Sequence, residues 1–168
     1  RFFGGWDYSQ DDLASRTPAF AGYEKGALGG DLPEAPEGAP APTFMVFALK
    51  DPIGQLDRIQ IVKGWTDAVG GAHEKVFDVV WAGDRQPGPD GNLPSVGSTV
   101  DEARSTFTNT IGASELGPLD GPEFDPAQRA FYYARAIEIP TPRWTAYDAL
   151  RMGSEVPPES PMTTTERA

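Results

Sequence analysis

The sequence of 168 residues contains no cysteine and one histidine, His73. Without cysteine the chain cannot form disulfides, thiolate metal sites or a cysteine nucleophile. Zinc and iron sites built from imidazoles need several histidines, and one histidine is too few for such a centre. These absences exclude thiol chemistry and imidazole-rich metal centres within this chain.

Positive charge is also scarce, since 14 lysines and arginines stand against 25 aspartates and glutamates. The formal net charge is −11. A surface of this sign repels phosphate backbones and anionic lipids, so we expect no nucleic-acid and no membrane partner. No apolar run approaches the roughly 20 residues that a membrane-spanning helix needs.

Glycine and proline are abundant, with 19 and 17 residues, and they separate short apolar runs. This pattern is typical of many short strands joined by turns. The sequence therefore predicts a mainly β fold: a single antiparallel β-sandwich domain over residues 1–168, immunoglobulin-like, with one or two short helices in its loops. Residues 26–42 have the composition of a surface loop.

Apolar patterning predicts the main strands. Residues 57–65 and 75–81 alternate apolar and polar side chains, and the Gly-Gly between them predicts that they pair as an antiparallel hairpin. Residues 43–49 form a nearly continuous apolar run, which indicates a central strand covered on both faces. Residues 106–111 and 130–139 are rich in β-branched and aromatic residues, so we expect strands there.

Two short helices carry end signals. Ser9 is placed to cap a helix over Gln10–Ala14, since Asp11 and Asp12 would lie at its positive N-terminus. Trp144–Met152 has apolar residues at helical spacing, and Gly153 is a typical helix terminator.

His73 lies in GGAHEKV, between the two strands of the predicted hairpin. A Ser-His-Asp triad needs a histidine held by a carboxylate beside a strained nucleophile turn, and this setting instead indicates an exposed turn. We interpret His73 as a solvated turn residue outside any active site.

Carboxylates are plentiful enough that hard-cation binding needs separate consideration. Two loops offer the best oxygen ligands: Asp84, Asp90 and Asn92 in one, and Asp120, Glu123 and Asp125 in the other. Neither loop has the ligand spacing of a known calcium loop. The alternative is that these residues initiate turns by bonding their own backbone. We expect no metal and no cofactor in this segment.

Glycine-rich pieces do not match phosphate loops. GGWDYS and GALGGDLP lack the required spacing, and no helix follows them in a position to donate its N-terminus. We interpret both pieces as bends.

The segment PTPRWTAYD is the most distinctive polar-aromatic cluster. Pro140 and Pro142 stiffen a loop that carries Arg143, Trp144 and Tyr147, which makes these three residues candidates for a substrate-binding rim. The alternative is that the two aromatic residues anchor the short helix onto the sheet.

Several stretches together resemble a known family: RFFGGWDY, GGDLP, APTFMVFALKDP, LDRIQIVKGWTDA, EKVFDVVWAGDR, LPSVGSTVD, TNTIGASEL and FDPAQRAFYYARAIEIPTPRWTAYDALR. In this order they resemble the C-terminal region of a large bacterial family that is catalogued as a domain of unknown function. That family is assigned to the polymerase and histidinol phosphatase (PHP) type of metal-dependent phosphoesterases.

The resemblance implies a parent protein of several hundred residues, often exported or periplasmic. Its N-terminal part would be a distorted α/β barrel that holds divalent metals with His-x-His and further His and Asp ligands. None of those motifs maps onto this sequence, so no catalytic residue is expected here. Family members usually continue with a further strand after the tripeptide ERA, and we expect the present chain to be a fragment that lacks it.

We therefore expect a non-catalytic accessory domain of a PHP-like hydrolase, which packs on the catalytic barrel and walls one side of its cleft. The alternative is an independent module that binds carbohydrate or a protein partner. A row of exposed aromatic residues on one sheet face would favour the alternative. A self-contained acidic hydrolase is disfavoured because the sequence offers no set of residues that would form its catalytic site.

Overall fold

The computed structural model describes residues 1–15, 17–39, 41–117 and 119–168, and strands dominate them. The strands are β1 (Phe2–Gly5), β2 (Gly26–Ala27), β3 (Thr43–Val46), β4 (Ala48–Leu49), β5 (Leu56–Thr66), β6 (Ala72–Trp81), β7 (Glu115–Leu116), β8 (Leu119–Asp120), β9 (Arg129–Glu138), β10 (Thr141–Pro142) and β11 (Thr163–Thr164). The helices are α1 (Gln10–Ala14), α2 (Pro18–Lys25) and α3 (Trp144–Met152). The prediction of a mainly β, antiparallel fold with few short helices is confirmed.

The strands form two larger sheets and two pairs. One sheet has the order β2-β1-β3-β8 and the other the order β6-β5-β9, while β4 pairs with β7 and β10 with β11. In the first sheet β1 and β3 are antiparallel, so that Phe3 lies opposite Met45 and Gly4 opposite Phe44. Within the described part of the chain, no helix is long and apolar enough to cross a membrane.

Two compact units divide the chain. Unit 1 comprises Arg1–Ala48, Ile59–Val80 and Leu116–Arg135, and unit 2 comprises Leu49–Arg58, Trp81–Glu115 and Ala136–Ala168. The single domain that the sequence predicts over residues 1–168 stays a prediction.

The core of unit 1 lies on both faces of β3. Phe44 and Val46 point to one face and pack with Ile59 and Ile61 of β5. Met45 points to the other face and packs with Phe3 and Tyr8. Successive residues of a strand face opposite ways, so this arrangement requires an uninterrupted apolar run. The expectation of a central strand covered on both faces is met, although the strand ends at Val46.

The β5–β6 hairpin has the predicted strands and turn. The backbone N–H of Asp67 donates to the carbonyl of Gly71 at 2.9 Å. Gly70 has φ +86°, a left-handed conformation that favours glycine. The alternation in the sequence is matched by burial, since Ile59 and Ile61 are both fully buried.

Helix α1 begins and ends where its capping signals predict. The Ser9 backbone N–H donates to the Asp12 carboxylate at 2.8 Å, and Lys25 donates to the same carboxylate at 2.7 Å. The hydrogen bond from Lys25, with those from Ser9, lowers the pKa of Asp12 to about 2. Helix α3 also matches its prediction, and Gly153 ends it in the left-handed conformation with φ +63°.

Helix α2 has no counterpart among the predicted elements, and the glycine in its middle is unfavourable for a helix. Gly22 contacts the Phe3 ring so closely that an added Cβ would lie 2.6 Å from it. Tyr8 donates a hydrogen bond to the Gly22 carbonyl at 2.8 Å. Tertiary packing therefore stabilises a helix that local propensity does not favour.

Two strand predictions were wrong in part or in whole. The run 43–49 is interrupted at Phe47, whose N–H bonds the Arg1 carbonyl at 3.0 Å, and the chain resumes as β4. Residues 106–111 form no strand beyond a single bridge of Thr106 with Asp101. Their side chains instead hold loops, as when the Asn109 side-chain amide donates to the Ile53 carbonyl at 2.7 Å. Such side-chain bonds compete with a β-ladder.

Replacing Ile61 by alanine is expected to lower the free energy of unfolding by about 2–5 kcal/mol, because the side chain is fully buried in the core. Val69→Ala, at a position 93% exposed at the hairpin tip, is the matched control and should change it by less than about 0.5 kcal/mol. Urea titrations of both variants test this. Equal midpoints for the two would mean that Ile61 is outside the core.

Candidate functional site

The three predicted rim residues lie on the first turn of α3. Arg143 is the N-cap residue, with extended backbone at φ −71° and ψ 153°. Its N–H donates to the carbonyl of Met162 at 2.9 Å, and its carbonyl accepts the N–H of Ala146 at 2.9 Å. Trp144 is 66% exposed, so it does not anchor the helix, whereas Tyr147 is half-buried. The anchoring alternative therefore does not hold for Trp144.

The Arg143 guanidinium makes no hydrogen bond or ion pair with the residues that the structure describes. Tyr147 lies four positions after Arg143 and three after Trp144, so its side chain is a neighbour of both at the start of α3. A guanidinium and an exposed indole on adjacent residues could take up an anionic group and a flat apolar group. Their contact with a substrate stays a prediction.

His73 lies in β6 rather than in the turn itself. Its Nε2 is 2.8 Å from Oδ2 of Asp67, and its ring stacks on Trp65 with centroids 5.4 Å apart. The hydrogen bond from His73, followed by backbone N–H donation from Gly71 and Val69, lowers the pKa of Asp67. His73 is exposed, as the interpretation as a solvated residue requires, but it lies in the strand beside the turn and its ring contacts Asp67 and Trp65.

The first carboxylate loop has the turn geometry that was the alternative to cation binding. The Asp90 carboxylate accepts the backbone N–H of Asn92 at 3.1 Å and its side-chain amide at 2.8 Å. These hydrogen bonds lower the pKa of Asp90. Asp84 is an exposed residue of the same loop.

The same loop is held in place by two arginines of unit 2 that also pair with a buried carboxylate. Asp57 is buried, and its carboxylate oxygens lie 2.7 Å from Arg85 and 3.3 Å from Arg58. The two guanidinium groups also donate to loop carbonyls, Arg58 to Leu93 at 2.8 Å and Arg85 to Pro94 at 2.7 Å. Each guanidinium thus joins the buried charge to the loop backbone.

The described carboxylates of the second loop, which belongs to unit 1, bond to neighbouring residues of that unit. Glu123 pairs with Lys75, which lowers the pKa of Glu123, and its carbonyl accepts the Tyr132 hydroxyl at 3.1 Å. Asp125 accepts the N–H of Ala127 at 2.9 Å, as in a turn, and the side chain of Asp120 lies outside the described part. Among the residues described, no group of three or more His, Cys, Asp or Glu is arranged to hold a metal ion.

An aromatic face lies on β9, formed by Phe131 and Tyr133. These side chains are 63% and 38% exposed, and their rings stand nearly parallel at 14° with centroids 6.4 Å apart. Phe131 covers Gly64 of β5, where an added Cβ would lie 2.4 Å from the ring. Arg135, two residues beyond Tyr133 and on the same face by strand alternation, donates to Gln60 at 2.9 Å.

A groove of about 300 Å³ opens in unit 1, and Phe131 of the aromatic face is one of the residues that line it. We call it the glycine groove, and it has three parts: Phe2, Gly4 and Phe44 from β1 and β3; Gly29, Gly30, Asp31 and Leu32; and Phe124, Gln128 and residues 130–132. Phe44 forms its floor: its ring stacks on Phe2 with centroids 5.2 Å apart, and it is tilted by 38° against Tyr132 with centroids 4.7 Å apart.

One tryptophan holds two walls of the glycine groove. The indole N–H of Trp6 donates to the Pro33 carbonyl at 3.0 Å, directly after Leu32. The Trp6 ring also meets the Phe124 ring edge-on at 5.6 Å. On the third side, Lys63 donates to the Gln128 side-chain oxygen at 2.9 Å. The groove walls are therefore fixed by hydrogen bonds and ring contacts.

A family model described as "Protein of unknown function (DUF3604)" matches residues 1–168 of the chain. The chain belongs to this family. No curated protein and no solved structure matches it. The resemblance to a family of unknown function is thereby confirmed. The family match does not test the further assignment to PHP-type phosphoesterases, which stays a prediction.

In this DUF3604 chain, the structural roles that could not be predicted from the sequence belong mostly to glycines. GGDLP was interpreted as a bend, yet it forms one wall of a groove. Gly64 breaks the apolar alternation of β5, and that break was the available signal that another side chain lies over the strand. The phenylalanine that lies there, Phe131, is 67 positions away and cannot be identified from the pattern.

Asp57→Ala is expected to cost about 3–5 kcal/mol of unfolding free energy, because it removes the buried carboxylate that pairs with Arg85 and contacts Arg58. Asp84→Ala, exposed in the same loop, is the control and should stay within about 0.5 kcal/mol. Denaturant titrations compare the two. A small cost for Asp57→Ala would show that the loop is held by other contacts.

Proposed function

We propose that this chain is a non-catalytic accessory domain of a PHP-like metal-dependent phosphoesterase, and that it packs on the catalytic barrel of the same polypeptide. Divalent metals held by the barrel would activate water for attack on phosphorus. The metal-ligand motifs of that family have no counterpart in residues 1–168, which supports this division of roles. The role of this chain is then to pack, to cover one side of the cleft and to help hold the substrate.

The observation that carries this proposal is the aromatic face. A stacked pair of large rings exposed on a sheet costs solvation free energy, and apolar patches of this kind mark interaction surfaces. Aromatic residues are enriched in the buried centre of protein interfaces, where charged residues are depleted. Val76 of the neighbouring hairpin is also exposed and adds apolar area to unit 1.

The rim residues give the domain a way to contact an anionic substrate. A phosphoester carries negative charge, and Arg143 can hold two of its oxygens through parallel hydrogen bonds. The extended backbone at Arg143 and its backbone hydrogen bonds fix the position from which the side chain extends. Trp144 is exposed beside it and offers a ring to an apolar part of the substrate.

A second candidate function is an independent binding module for carbohydrate or a protein partner. The same aromatic face favours it, because nearly parallel exposed rings can stack on the apolar faces of sugar rings. Gln60, bonded to Asp78 at 2.8 Å and to Arg135 at 2.9 Å, would supply polar groups on that face. The two candidates differ in whether the face is covered within the parent protein.

Replacing Phe131 and Tyr133 by serine tests the docking role. In the parent polypeptide the double change should lower the melting temperature of the accessory region by several degrees more than in the isolated chain, since buried interface aromatics contribute about 2 kcal/mol or more. Phe20→Ser, at a residue 65% exposed on α2, is the matched control and should have no such difference.

Equal destabilisation of parent and isolated chain by the double change would contradict docking through the aromatic face. Saturable binding of glycans by the isolated chain, lost in the double variant, would support the binding module instead.

Arg143→Lys in the parent enzyme is expected to raise KM for a phosphoester about tenfold, because a lysine cannot reproduce the two-pronged contact. Metal content and thermal stability should not change. Arg151→Lys, exposed in the last turn of the same helix, is the control. Unchanged kinetics for Arg143→Lys, or an equal effect of both changes, would remove Arg143 from the substrate rim.

A further inference from the structure

We propose that the glycine groove of unit 1 binds an organic cation, in which an ammonium group is joined to a flat apolar ring. This inference goes beyond the accessory role proposed above. It also concerns a different ligand class, because Asp31 in the groove would repel the negative charge of a phosphoester.

The charge of the groove selects a cation. Asp31 is exposed in the loop that forms one wall, and none of the described residues that line the groove is basic. The chain as a whole has a formal net charge of −11, which adds a long-range attraction for positive ligands. The ammonium of Lys63 is bonded to the Gln128 side chain and would repel a second cation there, so we place the ammonium of the ligand at Asp31 and its ring toward β9.

The rest of the groove selects an apolar ring. Phe2, Phe44, Phe124 and Tyr132 contribute aromatic walls, and the electron-rich faces of such rings also attract cations. The Tyr132 hydroxyl is already engaged with the carbonyl of Glu123. That leaves few polar side chains for a ligand, and a sugar with many hydroxyl groups would leave most of them unpaired.

The size of the groove and its rigid walls suit a small ligand. A volume of about 300 Å³ lies at the lower end of small-molecule sites. Because the ammonium of Lys63 can only donate, the Gln128 side-chain oxygen must face it, and the amide is held in one orientation. Trp6 fixes the loop and Phe124 together, so binding costs little reordering.

Phenethylamine is the probe, and two compounds with the same ring are its controls: phenethyl alcohol, which is neutral, and phenylacetate, which is anionic. Titration into the isotope-labelled chain should give saturable NMR shifts at the amides of Gly4, Gly29 and Gly30. The alcohol should bind about tenfold more weakly than the amine, which is what one charge-assisted contact supplies. Phenylacetate should give no saturable shifts.

Two pairs of variants separate charge recognition from ring recognition. Asp31→Asn should weaken amine binding about tenfold, whereas Glu34→Gln, which removes the same charge three residues further on, should leave it unchanged. Phe124→Leu should weaken amine binding, whereas Phe20→Leu should not. The amide spectrum of each variant establishes that it is folded.

Several results would overturn the proposal: no saturable binding of the amine, equal affinity for the amine and the alcohol, or an equal effect of Asp31→Asn and Glu34→Gln. Binding of phenylacetate in preference to the amine would show that the groove selects anions rather than cations.

Discussion

Unit 1 depends on the packing of Phe44, whose ring is held between Phe2 and Tyr132. Phe44 belongs to β3, so the stack joins the sheet that carries it to a strand of the other sheet. On the same side, Phe44 packs with Ile59 and Ile61 in the buried core. Its other role is to form the floor of the glycine groove. One buried aromatic contact thus supports both the core and the cavity.

Glycines make close packing in unit 1 possible. Gly22 admits the ring of Phe3 against α2, and Gly64 admits the ring of Phe131 against β5. A Cβ at either position would lie within 2.6 Å of ring carbon, so even alanine would force the ring to move. The tip of the Phe131 ring lies over the bare backbone of Gly64, while most of its side chain stays exposed and forms part of the aromatic face.

Local signals in the sequence predicted the elements that local physics determines. Alternation predicted β5 and β6, and capping residues predicted α1 and α3. Helix α2 was missed because its stability comes from the contact of Gly22 with Phe3, which no local pattern encodes. Residues 106–111 were assigned a strand because of their composition, yet their side chains bond neighbouring loops. The glycine groove could not be predicted from the sequence, because Phe2, Asp31 and Gln128 are distant in sequence and come together only in the folded chain.

The sequence predicted where the candidate rim residues lie in the fold, but not how exposed their side chains are. Helical spacing and the prolines located Arg143 at the start of α3, and its backbone is extended as expected. The sequence alone left open whether Trp144 anchors the helix, and its exposure decides against anchoring. Aromatic residues near a helix end serve either purpose, and the choice depends on what packs against them in three dimensions.

The role we propose for this chain is to support a metal-dependent hydrolase without supplying its chemistry. The most direct measurement is turnover of an aryl phosphate by the isolated chain and by the parent polypeptide, each with added divalent metal and then with chelator. We predict chelator-sensitive turnover by the parent polypeptide and none by the isolated chain. Chelator-sensitive turnover by the isolated chain would contradict the account.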